Sequence, residues 1–178
     1  MVSQVETSVS DFTRPLSHTV EGLVQVFTCP HRSFFTSVMA QALRIAGQGT
    51  PVLVVQFLKG GIGQGIAHPV RLGQHLDWLR CDLPRCIDTP QLEDGEAEAL
   101  QELWQHTQEV VLAGKYALAV LDELSLAIKF GLIPEFEVLE LLKARPCQVD
   151  LILTGPEMPG SILDRADQIT ELRRSHRP

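Results

Sequence analysis

The stretch between Gly22 and Lys59 limits what this chain can fold into more than any other. It opens with a short Val-rich apolar run, Leu23 to Phe27, followed by turn-like residues, which predicts a buried strand. A loop from Thr28 to Ser33 leads into Phe34–Ala46, where Phe35, Val38, Met39, Ala42, Leu43 and Ala46 recur at three- and four-residue steps. That spacing is the apolar stripe of a helix packed on a sheet. Gly47 stands where a left-handed C-cap is expected, and Val52–Phe57 reads as a second buried strand. Strand, loop, helix and strand in that order set a tight loop and a helix N-terminus at the carboxyl edge of a parallel sheet. A phosphate-binding loop at that place is glycine-rich and ends in Gly-Lys-Ser/Thr. Here it reads Cys29-Pro30-His31-Arg32-Ser33-Phe34-Phe35-Thr36, which keeps the scaffold of a nucleotide site and little of its chemistry.

Beyond Lys59 come Gly60, Gly61, Gly63 and Gly65, which predict that the backbone leaves the sheet, either as a simple connection or to approach a ligand. Leu76–Cys81 reads as a short strand and Asp82–Pro90 as a loop. Thr89-Pro90 has the form of an N-cap and first-turn proline, with Glu93, Asp94 and Glu96 favourable at a helix start. Leu100, Leu103, Trp104, Val110 and Val111 supply that helix's buried stripe, and Gly114 ends it. Tyr116–Asp122 is a buried strand with the acidic pair Asp122-Glu123 at its carboxyl end. Carboxylates so placed either meet something polar, Mg²⁺ in nucleotide-binding folds, or cap a following helix over Ser125–Phe130. A helix over Glu135–Ala144 turns Phe136, Val138, Leu139, Leu141 and Leu142 inward and stops at Arg145-Pro146. Val149–Thr154 is a strand, Gly155-Pro156 a turn, Ser161–Ala166 a short helix and Gln168–Leu172 a last strand. The alternation predicts an α/β fold, a parallel β-sheet with helices on both faces.

The 178 residues suit one domain, 22–178, preceded by a polar arm, 1–21, that is flexible or orders on a partner. A net charge of −7 and a pI near 5.3 argue against a nucleic-acid-binding face. No apolar run has the length of a membrane span, and the first residues have neither leader nor transit-peptide character. Four cysteines without a CxxC pair suggest reduced thiols and a cytoplasmic protein. Cys29-x-His31 and Cys81-x4-Cys86 contain metal-ligand types, but neither has finger-like spacing.

Several segments then carry a family signature. They are Leu43-Arg44, Gly47-x-Gly49, Val54-Val55-Gln56-Phe57-Leu58-Lys59-Gly60, Val120-Leu121-Asp122-Glu123-Leu124, Val138-Leu139, Arg145-Pro146, Leu153-Thr154-Gly155, Ala166-Asp167 and Thr170-Glu171-Leu172. In this order and spacing the chain resembles the P-loop ATP:corrinoid adenosyltransferases. The resemblance runs from Gly22 to Gly60 and again from about Glu98 to His176. It implies a RecA-like P-loop fold, usually dimeric, that moves the adenosyl group of ATP to the cobalt of a Co(I) corrinoid. Mg²⁺ and the glycine-rich loop hold the phosphates in such a family. It would put Cys29 to Thr36 at the nucleotide, Asp122 and Glu123 at the metal, and Gln56, Lys59 and Thr154 in the pocket.

The departures fall on that chemistry. The family's loop glycines align with Cys29, His31 and Ser33, its essential lysine with Phe34 and the following hydroxyl residue with Phe35. Pro30 offers no N–H, while Arg32 keeps one positive charge and Thr36 one hydroxyl. A Gly-Glu pair after the second strand becomes Gly65-Ile66, and the arginine after Thr-Gly becomes Pro156. Three readings follow. The chain is a non-catalytic or strongly diverged relative acting through binding or assembly; or an active ATP:cob(I)alamin adenosyltransferase in which Arg32 stands in for the lysine; or another enzyme using Cys29 as a thiolate nucleophile.

Overall fold

The computed structural model describes residues 20–61 and 63–173. The arm expected over 1–21 therefore lies outside them up to residue 19, as does most of the basic end. The described chain forms β1 (Val24–Cys29), α1 (Thr36–Gly47), β2 (Val52–Gly60), β3 (Val70–Leu72), β4 (Leu76–Cys81) and α2 (Glu96–Leu112). These are followed by β5 (Leu118–Asp122), α3 (Leu124–Lys129), α4 (Glu135–Ala144), β6 (Asp150–Pro156), α5 (Gly160–Leu163) and β7 (Gln168–Glu171). The seven strands make one sheet in the order β3-β4-β2-β5-β6-β1-β7. All neighbours run parallel except the β3–β4 pair. This is the expected α/β architecture with one antiparallel edge.

Period-two burial builds two cores from the central strands. Val52, Val54, Leu118, Val120 and Ile152 face α1, which covers them with Phe35, Val38, Met39, Ala42 and Ala46. Their neighbours Leu53, Val55, Ala119, Leu121, Leu151 and Leu153 face the opposite way, with Leu100, Leu103 and Trp104 of α2 and Val138 and Leu141 of α4. Phe57 and Trp104 meet edge to face at 5.9 Å, a geometry that aromatic quadrupoles favour. Among the described residues, no helix is long and apolar enough to cross a membrane.

Several sequence expectations are corrected. β2 does not stop at Phe57 but runs through Gly60, with a register shift against β4 between Gln56 and Gly60. Gly60 is used for close approach instead: a Cβ there would lie 2.1 Å from the Arg85 carbonyl oxygen and 2.5 Å from that of Leu83. β6 likewise continues through Gly155-Pro156, which pair with Thr28 and Cys29 rather than turning away. α2 begins at Glu96, not at Thr89-Pro90. Thr89 spends its hydroxyl on the Gln91 carbonyl, and the Glu96 carboxylate accepts two bonds from Arg85 and one from the Glu93 N–H. That clamp holds 85–95 as a loop and leaves Gly95, at φ 82, as the residue before the helix. On α4 the buried stripe is Val138, Leu141 and Leu142. Phe136, two residues and about 200° away from Val138, is 66% exposed. Leu43 on α1 is also exposed, at the rim of a groove shared with Leu72 of β3.

Two outcomes follow. Gly60→Ala should lower the unfolding free energy by about 2–4 kcal/mol in urea titration, because its Cβ meets backbone and not a yielding side chain. Gly47 is the last helical residue and not the expected left-handed cap, a backbone found at Gly49 (φ 91), so Gly47→Ala, where a Cβ meets nothing within 4 Å, should leave stability level or raise it. The second concerns pH. The Arg85 guanidinium, then the Glu93 N–H, holds the Glu96 carboxyl below the usual carboxylate range. Its contribution is therefore present above the unfolded carboxyl pKa of about 4.3 and is lost as pH falls through the lower folded value. Melting curves of wild type and Glu96→Gln should differ at neutral pH and converge in acid.

Candidate functional site

At the carboxyl ends of the central strands, the α1-facing residues of one rung align across the sheet. Gln56 of β2 is in register with Arg80 of β4 on one side and Asp122 of β5 on the other. Thr154 of β6 follows Leu153, which is in register with Leu121, so its side chain reaches Asp122 from the far side. Parallel strands with hydrophobic interiors deliver polar side chains to this edge because it is where the buried runs end.

Asp122 is 2% exposed, and its carboxylate is surrounded by donors. Oδ2 accepts from Gln56 Nε2 at 2.7 Å and faces Lys59 Nζ at 3.8 Å; Oδ1 accepts from Thr154 Oγ1 at 2.7 Å. Gln56 in turn accepts on its Oε1 from Trp78 Nε1 and from Arg80 Nε, at 3.0 and 2.8 Å. The Thr154 hydroxyl oxygen also accepts the Glu123 N–H at 3.0 Å. Every member of this network is paired, as a buried polar cluster requires.

Glu123 sits beside it in the left-handed region, at φ 59, and precedes α3 without making a side-chain cap. The expected alternative role for the acidic pair, helix capping, is therefore absent from both residues: Asp122 turns into the rung and Glu123 into the loop. The Glu123 carboxylate accepts two bonds from one guanidinium, that of Arg32, with Nη2–Oε2 at 2.8 Å. Arg32 Nη1 donates to the Ile87 carbonyl at 3.2 Å. The side-chain bond to Glu123 is the first reason that the Arg32 pKa is raised.

The other loop residues separate into two groups. Phe35 is buried against Phe27, ring centroids 6.3 Å apart, at the foot of α1. Phe34 is half-exposed, and Lys59 Nζ lies 4.5 Å from its ring centroid. Cys29 closes β1 and donates from Sγ to the His31 carbonyl at 2.7 Å, while Pro30 and His31 are exposed and Ser33 half-buried. Thr36 is the first residue of α1. Arg32, Lys59, Gln56, Asp122, Glu123 and Thr154, all singled out from the sequence, are thus brought together. Arg80 and Trp78 were not, and in register they are as integral as Gln56. Their signal was the strand Leu76–Cys81 itself, once its pairing with β2 is known. Among the described residues, no group of three or more His, Cys, Asp or Glu side chains has metal-binding geometry, so the Cys-x-His and Cys-x4-Cys pairs gain no further ligands.

Comparison with known proteins gives the family. The family described as ATP:corrinoid adenosyltransferase BtuR/CobO/CobP matches residues 20–178. The corrinoid adenosyltransferase of Escherichia coli (strain K12) is 30% identical over 152 residues, covering 85% of this chain and 76% of that protein. Corrinoid adenosyltransferase CobA of Salmonella typhimurium (strain LT2) is 31% identical over the same length and coverage. An uncharacterized protein of Nostoc sp. (strain PCC 7120), all2391, is 26% identical over 175 residues, 91% of this chain and 46% of its own length.

Thr154 joins the two carboxyl-bearing residues, so Thr154→Val should strip Asp122 of a donor and leave the Glu123 N–H unpaired. The expected cost is about 2–4 kcal/mol in chemical denaturation, with Thr154→Ser recovering most of it.

Proposed function

The chain belongs to the ATP:corrinoid adenosyltransferase family, and we propose that within it this protein has kept the fold and given up adenosyl transfer, acting through binding or assembly. The observation that carries the reading is the commitment of Arg32, the loop's one remaining cation, to both oxygens of Glu123.

Mg-ATP requires free donors from the loop and free carboxylate oxygens for the metal. The residues present do not fit that requirement. Asp122 is hydrogen-bonded on both oxygens, Glu123 is held by Arg32, and Lys59 rests on Phe34. The positions of the family lysine and hydroxyl hold Phe34 and Phe35, and Pro30 has no N–H to give. Each lost charge-assisted hydrogen bond is worth about 1.5–3 kcal/mol, so two or three lost contacts weaken phosphate binding by roughly 10²- to 10⁶-fold. An active enzyme with Arg32 in the lysine's role needs that guanidinium at the phosphates, which means taking it from a buried carboxylate. The thiolate reading draws no support from Cys29, which is buried with Sγ turned to the His31 carbonyl. The corrinoid is the ligand that the family leaves to this chain, and a homodimer is its proposed assembly. The four free cysteines accord with a reducing, cytoplasmic setting.

Calorimetric titration with Mg-ATP and, separately, with a Co(I) corrinoid under anaerobic conditions tests the proposal. No heat with Mg-ATP and no cobalt–carbon bond formed in the presence of both are expected. Micromolar affinity for Mg-ATP, or a formed adenosyl–cobalt product, overturns it. Replacing Cys29, His31 and Ser33 by Gly together with Phe34→Lys and Phe35→Thr should restore nucleotide binding if decay is confined to the loop.

A further inference from the structure

We propose that Glu123 is an internal pseudo-ligand: its carboxylate fills the oxyanion-binding capacity of Arg32 and so latches the β1–α1 loop shut. This deepens the reading above, since it names what occupies the site in the resting protein.

The Glu123 side chain is 5% exposed and that of Arg32 33%, so the carboxylate is the buried partner and the guanidinium the one that arrives from the loop. A buried carboxylate needs donors to replace water, and Arg32 supplies Glu123 with two of them and a charge. A carboxylate offers a guanidinium the same two-pronged contact as two phosphate oxygens. The backbone supports the arrangement from the other side. Glu123 is in the left-handed region, unusual for a residue with a Cβ, and its N–H is fixed by Thr154. The second contact of Arg32, with the Ile87 carbonyl, ties the loop also to 82–88, which lies along β2 through Ile87 N–H to Leu58 O and Gly61 N–H to Leu83 O. One side chain thus holds three segments together. Lys59 stands close by, over Phe34 and 3.8 Å from Asp122. With Glu123 neutralised, the two-pronged donor of Arg32 is left without its carboxylate, and the anion that suits it is a small polyoxyanion of the diphosphate class.

Cys29 reports on the latch, because it is buried at the start of the loop. Cys86 and Cys147 are exposed and are replaced by Ser throughout. Cys81 stays silent, since burial, and then Glu96, pushes its thiol up to about 12. In the full chain with Glu123 intact, iodoacetamide should alkylate Cys29 slowly, and metal-free diphosphate should not alter the rate. Glu123→Gln should raise the rate by about ten- to a hundredfold, the effect of losing a charge-assisted pair on local opening. Diphosphate should then slow it again, and should fail to do so in Glu123→Gln/Arg32→Gln. Cys29 as protected in Glu123→Gln as in wild type, or acceleration indifferent to diphosphate, overturns the latch. Far-UV circular dichroism checks folding. If Glu123→Gln does not fold, Arg32→Lys, which keeps the charge and loses the two-pronged contact, should raise Cys29 alkylation several-fold, and an unchanged rate is equally fatal. Protected Cys29 together with silent Mg-ATP calorimetry removes the latch and leaves the non-catalytic reading; Mg-ATP binding by wild type removes both.

Discussion

A carboxylate almost wholly removed from water is tolerated only where several donors converge on it, and the placement of Asp122 sets that condition for the whole carboxyl edge of the sheet. Gln56 and Thr154 meet it because parallel pairing puts them on either side of Asp122. Gln56 can spend its amide N–H on Asp122 because its carbonyl is anchored by Trp78 and Arg80 from the next strand. Thr154 serves both acidic residues, donating to Asp122 and accepting from the Glu123 backbone. The orientation of Glu123, and through it the position of the β1–α1 loop, follows from this rung.

Arg32 of the loop and Lys59 of β2 each face one carboxylate of this edge, Glu123 and Asp122, while Arg80 donates to Gln56. A site built for a triphosphate and a divalent cation carries an excess of donors that the ligand satisfies. Here the protein satisfies its own groups, and among the described residues no buried side-chain nitrogen or oxygen lacks a partner. The two phenylalanines divide the remaining labour. Phe35 becomes part of the core under α1, whereas Phe34 stays at the surface as a platform for Lys59. Phe35 thus contributes to packing and Arg32 to an ion pair, and both stabilise the fold without a bound ligand.

Much of the architecture was legible because local pattern and tertiary demand coincided. β4 and α4 were read with the bounds they have, since both have strong periodicity and clear stops, and the central strands were found because runs such as Val52–Phe57 and Tyr116–Asp122 admit nothing else. Misreadings arose where a distant side chain overruled a local signal. Thr89-Pro90 has the grammar of a helix start, yet with Arg85 on Glu96 the start lies six residues onward. β3 has three residues and is a strand only because β4 lies beside it. Gly60 lies within β2 and serves close approach, since the carbonyls of Leu83 and Arg85 leave no room there for a side chain.

The sequence by itself determined the alternation of strands and helices and the family, because both are written in residue types at fixed spacing. Only the tertiary structure decided what the surviving charges do. Whether Arg32 points to a ligand or to Glu123, 91 residues away, depends on which strands are neighbours and how their ends align. Strand order and register are long-range properties, set by burial of the whole sheet, and no local pattern encodes them.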